Sequence, residues 1–258
     1  MLIDEVTDAF VSDLIKNGKR EDGRSFLDYR NAKVETGLIP NAEGSALAQI
    51  GNSKVLCGVK FDLLNPFSDK PDDAVVMVGS EFSPMAHPDF QPGPPDERSI
   101  ELARVVDRGI RSAGCVDSKA FDRTEEQVMA VFIDLHILDH CGNLIDTAAL
   151  AAMAALKNAK VPKIDKEAKK LIRGDFVGSL PLKRNALTCS FEKISGKTIL
   201  DATENEEVAS EGRMTVGVTD DGFVCCGQKS GRTGFSKEEL MNLVDVSLEK
   251  SKKLFSLL

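Results

Sequence analysis

The chain has 258 residues, 42% of them hydrophobic and 29% charged, with 41 acidic against 33 basic side chains and a net charge of -8. Those proportions exclude a disordered polymer, and a single Tyr with no Trp excludes a single-strand binder built on stacked bases. The negative overall field disfavours nonspecific contact with nucleic acid but leaves room for a local basic stripe.

In chain order, Val6, Phe10, Leu14 and Ile15 recur at helical spacing within 4–16, and Arg20-Glu21-Asp22-Gly23-Arg24 reads as a polar turn. Four strands are predicted near 32–38, 45–50, 54–61 and 74–82, with Gly51-Asn52-Ser53 as a hairpin turn. Pro84, Pro88, Pro92, Pro94 and Pro95 exclude a helix or central strand between them. Asp96-Glu97 suit the first turn of a helix to about Ser112, with Leu102, Val105, Val106, Gly109 and Ile110 on one face. A buried strand is expected over 128–138, then an alanine-rich helix capped by Asp146. The basic cluster Lys163, Lys166, Lys169, Lys170 and Arg173 marks the expected join between halves. Strands follow near 187–194, 198–201, 214–218 and 223–228, and Ser236 with Glu239 forms a capping box for the last helix. Strands then helices, given twice, each run with a short glycine hairpin (Gly51-Asn52-Ser53, Ser195-Gly196-Lys197), predict two α+β halves with mixed sheets.

Four groups of residues could carry chemistry. Arg104, Arg108 and Arg111 recur at i, i+4 and i+7, so three guanidiniums share one ridge opposite the apolar face; each fork can bind two phosphate oxygens. Glu101 and Asp107 stand within helical reach and offer the competing reading of a solvated, salt-bridged face. Asp134, His136, Asp139 and His140 are the residue types that hold zinc, but on a strand they divide between its face and its end, which favours plain strand-edge polar groups. His87 lies in the proline-rich loop and says little. Gly227-Gln228-Lys229-Ser230-Gly231 is expected to be a turn rather than a phosphate cradle. Glu204, Glu206, Glu207 and Glu211 are expected on a solvated loop rather than around a cation. The cysteines Cys57, Cys115, Cys141, Cys189, Cys225 and Cys226 lack CxxC spacing and are expected to be buried and reduced. No run reaches the ~18 apolar residues of a membrane span, and Met1-Leu2-Ile3-Asp4-Glu5 has no signal-peptide character, so a cytoplasmic protein with no membrane partner is expected.

Several stretches together carry a resemblance: Arg20-Glu21-Asp22-Gly23-Arg24, Glu43-Gly44-Ser45-Ala46-Leu47, Pro92-Gly93-Pro94-Pro95-Asp96-Glu97, Ile100-Glu101-Leu102-Ala103-Arg104-Val105-Val106-Asp107-Arg108 and Gly142-Asn143-Leu144-Ile145-Asp146. Over nearly its whole length the chain resembles the RNase PH-like phosphorolytic exoribonucleases, and within them the non-catalytic RNase PH-like branch of the archaeal exosome. The resemblance implies the RNase PH fold, α+β with duplicated sheet-and-helix halves packed as two layers. It divides the chain into domain 1 over 1–160, a connecting segment over 161–185 and domain 2 over 186–258. It also implies a hexameric ring, a trimer of heterodimers with a catalytic RNase PH-like subunit, joined by RNA-binding cap subunits and fed with single-stranded RNA. No cofactor or metal is implied for this chain.

The active pattern has two aspartates near the scissile phosphate and an arginine-bearing turn for the attacking phosphate. Set against that pattern, the resemblance puts Glu207 and Arg213 at the aspartate positions and Cys141-Gly142-Asn143-Leu144-Ile145-Asp146-Thr147 at the turn. A cation where an acid belongs opposes a bound metal by ~4 kcal/mol per unit charge at ~4 Å and an effective dielectric of ~20. The resemblance therefore implies a subunit without chemistry of its own, whose Arg104, Arg108 and Arg111 hold RNA. The alternative is an active phosphorolytic 3′-to-5′ exoribonuclease.

Overall fold

Strict alternation shapes the first sheet. The computed structural model describes residues 2–258; after α1 (Leu2–Lys16) come β1 (Ala32–Thr36), β2 (Gly44–Ile50) and β3 (Ser53–Leu64). In β3 every second residue is buried, from Ser53 through Val55, Cys57, Val59 and Phe61 to Leu63, the signature of a strand with one covered face. β4 (Val75–Phe82), α2 (Glu97–Ala113) and β5 (Val128–Asp139) follow. β4 runs parallel to β5, so a crossover must join them, and α2 lies within it. The sheet order is β1-β2-β3-β5-β4.

What covers this sheet is α3 (Leu144–Asn158), whose alanines Ala148, Ala151, Ala152 and Ala155 are wholly buried. Small side chains let the helix approach closely. At Gly44 on β2 a Cβ would stand 2.7 Å from that of Ala159, so only glycine fits there. The chain then forms a hairpin, β6 (Lys160–Asp165) and β7 (Lys170–Ser179), and a second sheet from β8 (Ala186–Ile194) and β9 (Lys197–Leu200). A short helix α4 (Glu204–Val208), then β10 (Gly212–Thr219), β11 (Val224–Gly231) and α5 (Lys237–Phe255) complete it. This sheet has the order β11-β10-β8-β9. α3 packs on β2 and β3 on one side and on β8 on the other, so one alanine-rich helix is shared by both halves.

The two α+β halves, both glycine hairpins and the Ser236–Glu239 capping box stand as the sequence predicts. The first sheet is mixed, whereas every pairing in the second is antiparallel. The basic cluster, between the two halves, is a β-hairpin whose lysines pair with acids elsewhere, Lys166 with Asp122 and Lys169 with Glu126. Three local expectations are corrected. Gly227 to Gly231 extend β11 instead of turning. Asp146 does not cap α3; Asn143 takes that place in the left-handed region at φ 54, and Asp146 is buried inside the first turn. The acidic segment 204–211 is not a solvated loop, because it contains α4 and Glu206 is fully buried.

Glu206 is buried because Arg20 meets it. Arg20 donates from Nη2 and Nε to its carboxylate at 2.6 and 2.8 Å and to the carbonyls of Leu200 and Asp201, each at 2.9 Å. The polar turn at 20–24 is thus a clasp between the chain's beginning and its second sheet. Removing one member of such a pair strands a buried charge, so Arg20→Leu is expected to lower unfolding stability by about 3–5 kcal/mol. Arg20→Leu with Glu206→Leu should cost distinctly less, as read from urea unfolding midpoints of the three proteins.

Candidate nucleic-acid interface and adjoining pocket

α2 is punctuated at both ends. Asp96 caps its start by accepting from the Ser99 amide at 2.8 Å, and Gly114 ends it in the left-handed region at φ 63. Leu102, Val105, Val106 and Ile110 face the core, which leaves the arginines on the outer ridge. The three guanidiniums are in different states. Arg104 is exposed and has no hydrogen-bond or ion-pair partner among the described residues. Arg108 is half-buried and donates from Nη1 to Gln228 Oε1 on β11 at 2.5 Å, which fixes its direction. Arg111 grips Asp107 through Nε at 2.7 and 2.8 Å and donates from Nη2 to the Val76 carbonyl, so it also anchors α2 to β4. The sequence placed the three on one ridge and offered Asp107 to Arg111; it did not foresee the remote partners, Gln228 for Arg108 and the Val76 carbonyl for Arg111.

Below the ridge lies a pocket of about 150 Å³, lined among others by Phe90, Arg98, His140, Asn143, Glu207 and Arg213. Its floor follows from sheet register. Arg213 on β10 stands opposite Glu192 on β8, so both side chains rise from one face. Arg213 Nε donates to Glu192, and Arg213 Nη2 lies 3.3 Å from Glu207 Oε1 on α4. Ser210 holds the other oxygen of Glu192 at 2.5 Å. Burial pushes the carboxyls of Glu192 and Glu207 upward, and the Arg213 charge opposes that. Burial works against the Arg213 charge, but the two carboxylates prevail and hold it firmly protonated. The Arg213 cation is therefore not unbalanced: it lies between two acids. Sequence reasoning missed Glu192. A glutamate directly after the charge-free run Ala186-Leu187-Thr188-Cys189-Ser190-Phe191 was the available signal.

The turn at the start of α3 is also filled from within. Glu207 Oε1 accepts the Asn143 amide at 2.8 Å, so a carboxylate of the chain itself occupies the positive end of α3. Gly142, at φ 88, packs so tightly on the backbone of 202–204 that a Cβ would collide there. Asp146 is spent on Tyr29 Oη at 2.8 Å, Thr188 Oγ1 at 2.9 Å and the Ser190 amide at 2.9 Å. Leu144 and Ile145 add only apolar surface.

The other candidates disperse. His140 lies ring to ring with Phe90 at 5.6 Å, and burial lowers its pKa to about 4, so it is uncharged near neutrality. His136 is 3.4 Å from Glu81, its register partner on the adjacent strand β4, and Asp139 pairs with Lys54. His87 binds Glu204 at 2.6 Å. Among the described residues no three His, Cys, Asp or Glu side chains are gathered as a metal site, and no helix is long and apolar enough to cross a membrane.

Known proteins match this arrangement along the whole chain. The pattern of the 3′ exoribonuclease family, domain 1, matches residues 28–162, and that of domain 2 matches residues 186–250. The exosome complex component Rrp42 of Methanothermobacter thermautotrophicus is 40% identical over 100% of this chain and 96% of that protein. Its counterpart in Thermococcus gammatolerans is 43% identical over 96% of this chain and 92% of that protein. A chain from the Archaeoglobus fulgidus exosome with RNA bound to the active site superposes with a TM-score of 0.88 at 35% identity, covering 99% of both chains. A chain of an archaeal exosome core gives 0.85 at 35% identity, covering 98% of this chain and 96% of that one.

Replacing the central cation tests the balance of charges. Arg213→Gln leaves Glu192 and Glu207 facing one another and should cost about 3 kcal/mol near neutral pH. Both folded-state carboxyl pKa values already lie above the ordinary range and would rise further, so protonation favours the folded variant. The deficit relative to the parent should therefore shrink as pH falls through the raised values, measured by denaturant unfolding at several pH values between about 8 and 5. A deficit that grows on acidification would refute the assignment.

Proposed function

The chain belongs to the 3′ exoribonuclease family that RNase PH represents, and on that premise we propose that it is a non-catalytic subunit of an archaeal-type exosome. In this reading it alternates with a catalytic RNase PH-like subunit in a ring of three heterodimers, beneath RNA-binding cap subunits, and contributes arginines to the RNA path while the partner cleaves. A cytoplasmic site belongs to the proposal; six unpaired cysteines suit a reducing compartment.

One observation carries the absence of chemistry: Arg213 lies between Glu192 and Glu207. Phosphorolysis in this family's active pattern needs free carboxylates near the scissile phosphate and an open anion site beside them. Here Glu207 is tied to Arg213 and the Asn143 amide. An incoming phosphate would have to displace a carboxylate from the end of α3, and Glu192 and Glu207, both held by Arg213, are not free for proton transfer or for a divalent ion.

RNA binding rests on α2. Arg104 offers an unengaged fork, and Arg108 is aimed by Gln228, which leaves its remaining donors for phosphate oxygens. Arg111 is the third contact, in competition with Asp107. Such contacts read charge and spacing, so base preference should be weak.

Steady release of nucleoside diphosphates from the isolated chain, given RNA, phosphate and magnesium, would defeat the reading and establish the active alternative. In a complex reconstituted with the catalytic subunit, Arg104→Glu with Arg108→Glu should weaken RNA binding. The slope of log affinity against log salt should become shallower by about 1.4, the share of two single-strand phosphate contacts. An unchanged slope would leave the chain a scaffold only.

A further inference from the structure

Beside Arg108 lies a feature that RNA binding does not explain. β10 and β11 pair in register from Gly212 to Gly217, where Gly217 faces Cys226; the next pair is Val218 with Val224. Cys225 is therefore the extra residue of a β-bulge. In a regular strand Cys225 and Cys226 would point to opposite faces. Here the bulge turns both toward Gly217, and a Cβ at that glycine would collide with both sulfurs. On the other side, Cys226 Sγ is 4.0 Å from where a Cβ on Gly109 of α2 would stand, so the thiol sits at the junction of β11 and the arginine ridge. Both cysteines are half-exposed, whereas Cys57, Cys115 and Cys189 are buried.

We propose that Cys225 and Cys226 are a peroxide-responsive dithiol, with Cys226 the sulfur that reacts first and Cys225 the one that resolves it. The Cys226 thiolate attacks the terminal oxygen of a hydroperoxide; the O–O bond breaks, an alcohol or water leaves with a proton, and Cys226 becomes a sulfenic acid. Cys225 then attacks that sulfur and loses its proton, the S–O bond breaks, water leaves, and a disulfide joins the neighbours. Two thiols are oxidised by two electrons, and one hydroperoxide is reduced.

The environments of the two thiols divide these roles. A hydrogen bond from Cys225 lowers the Cys226 pKa; burial opposes this, the Arg108 charge adds to it, and the result is about 7. The same hydrogen bond pushes Cys225 upward, which keeps it a thiol until it is needed. A half-exposed, activated cysteine next to a resolving one is the arrangement that senses oxidants. Cys141 is an internal control: it too is half-exposed, but burial and Asp139 raise its pKa.

The test uses the full reduced chain, hydrogen peroxide and mass spectrometry of alkylated peptides. Cys226 should react on the order of tenfold faster than Cys141. The product should lack two hydrogens, lose both alkylatable thiols from the peptide holding Cys225 and Cys226, and revert with dithiothreitol. Cys225→Ser should halt at a sulfenic acid on Cys226 that dimedone captures, and Cys226→Ser should leave Cys225 unreactive. Equal oxidation of Cys141 and Cys226 in the parent chain, or a Cys225→Ser protein without a dimedone adduct, would overturn the proposal.

Discussion

The carboxylate of Asp201 holds together what the chain separates by well over a hundred residues. It sits at the end of β9 in the left-handed region, at φ 54, and is wholly buried. Arg30 meets it through its amide, Nε and Nη2 at 2.7, 2.9 and 2.8 Å, Arg24 through Nη1 at 3.0 Å, and Asn143 through Nδ2 at 2.7 Å. Burial would raise its pKa, yet Arg30 and Asn143 hold it below the ordinary carboxylate range. One anion thus fixes the N-terminal turn, the start of α3 and the edge of the second sheet with respect to one another. The pocket and the arginine ridge inherit their geometry from that junction.

Charge is handled in opposite ways on the two sides of α2. Inside, each ion is answered: Arg20 by Glu206, Arg213 by Glu192 and Glu207, Asp146 by hydroxyl and amide donors. Outside, among the described residues Arg104 is left unanswered and Arg108 only partly so. A chain of net charge -8 can therefore offer a local cationic edge without being basic as a whole.

Much of the fold was legible because its signals are local. The alternation of β3, the ends of α2, the Ser236–Glu239 box and the i, i+4, i+7 arginines each depend on residues a few positions apart. The errors arose where the deciding partner is remote. Glu206 reads as solvated until Arg20, 186 positions away, is brought to it. Asp146 has the spacing of a cap, but Tyr29, Thr188 and Ser190 converge on it and draw it into the core, leaving Asn143 to start the helix. At the pocket, the sequence raised the question of charge at Glu207 and Arg213; only strand register brought Glu192 in as the counterweight.

That counterweight has an evolutionary corollary. If Arg213 alone were exchanged for an acid, three carboxylates, those of Glu192, Glu207 and the newcomer, would crowd one buried corner without the cation that now lies between the first two. That single exchange passes through a less stable protein, so the pocket acts as a ratchet: an acid there becomes tolerable only once Glu192 or Glu207 has also changed.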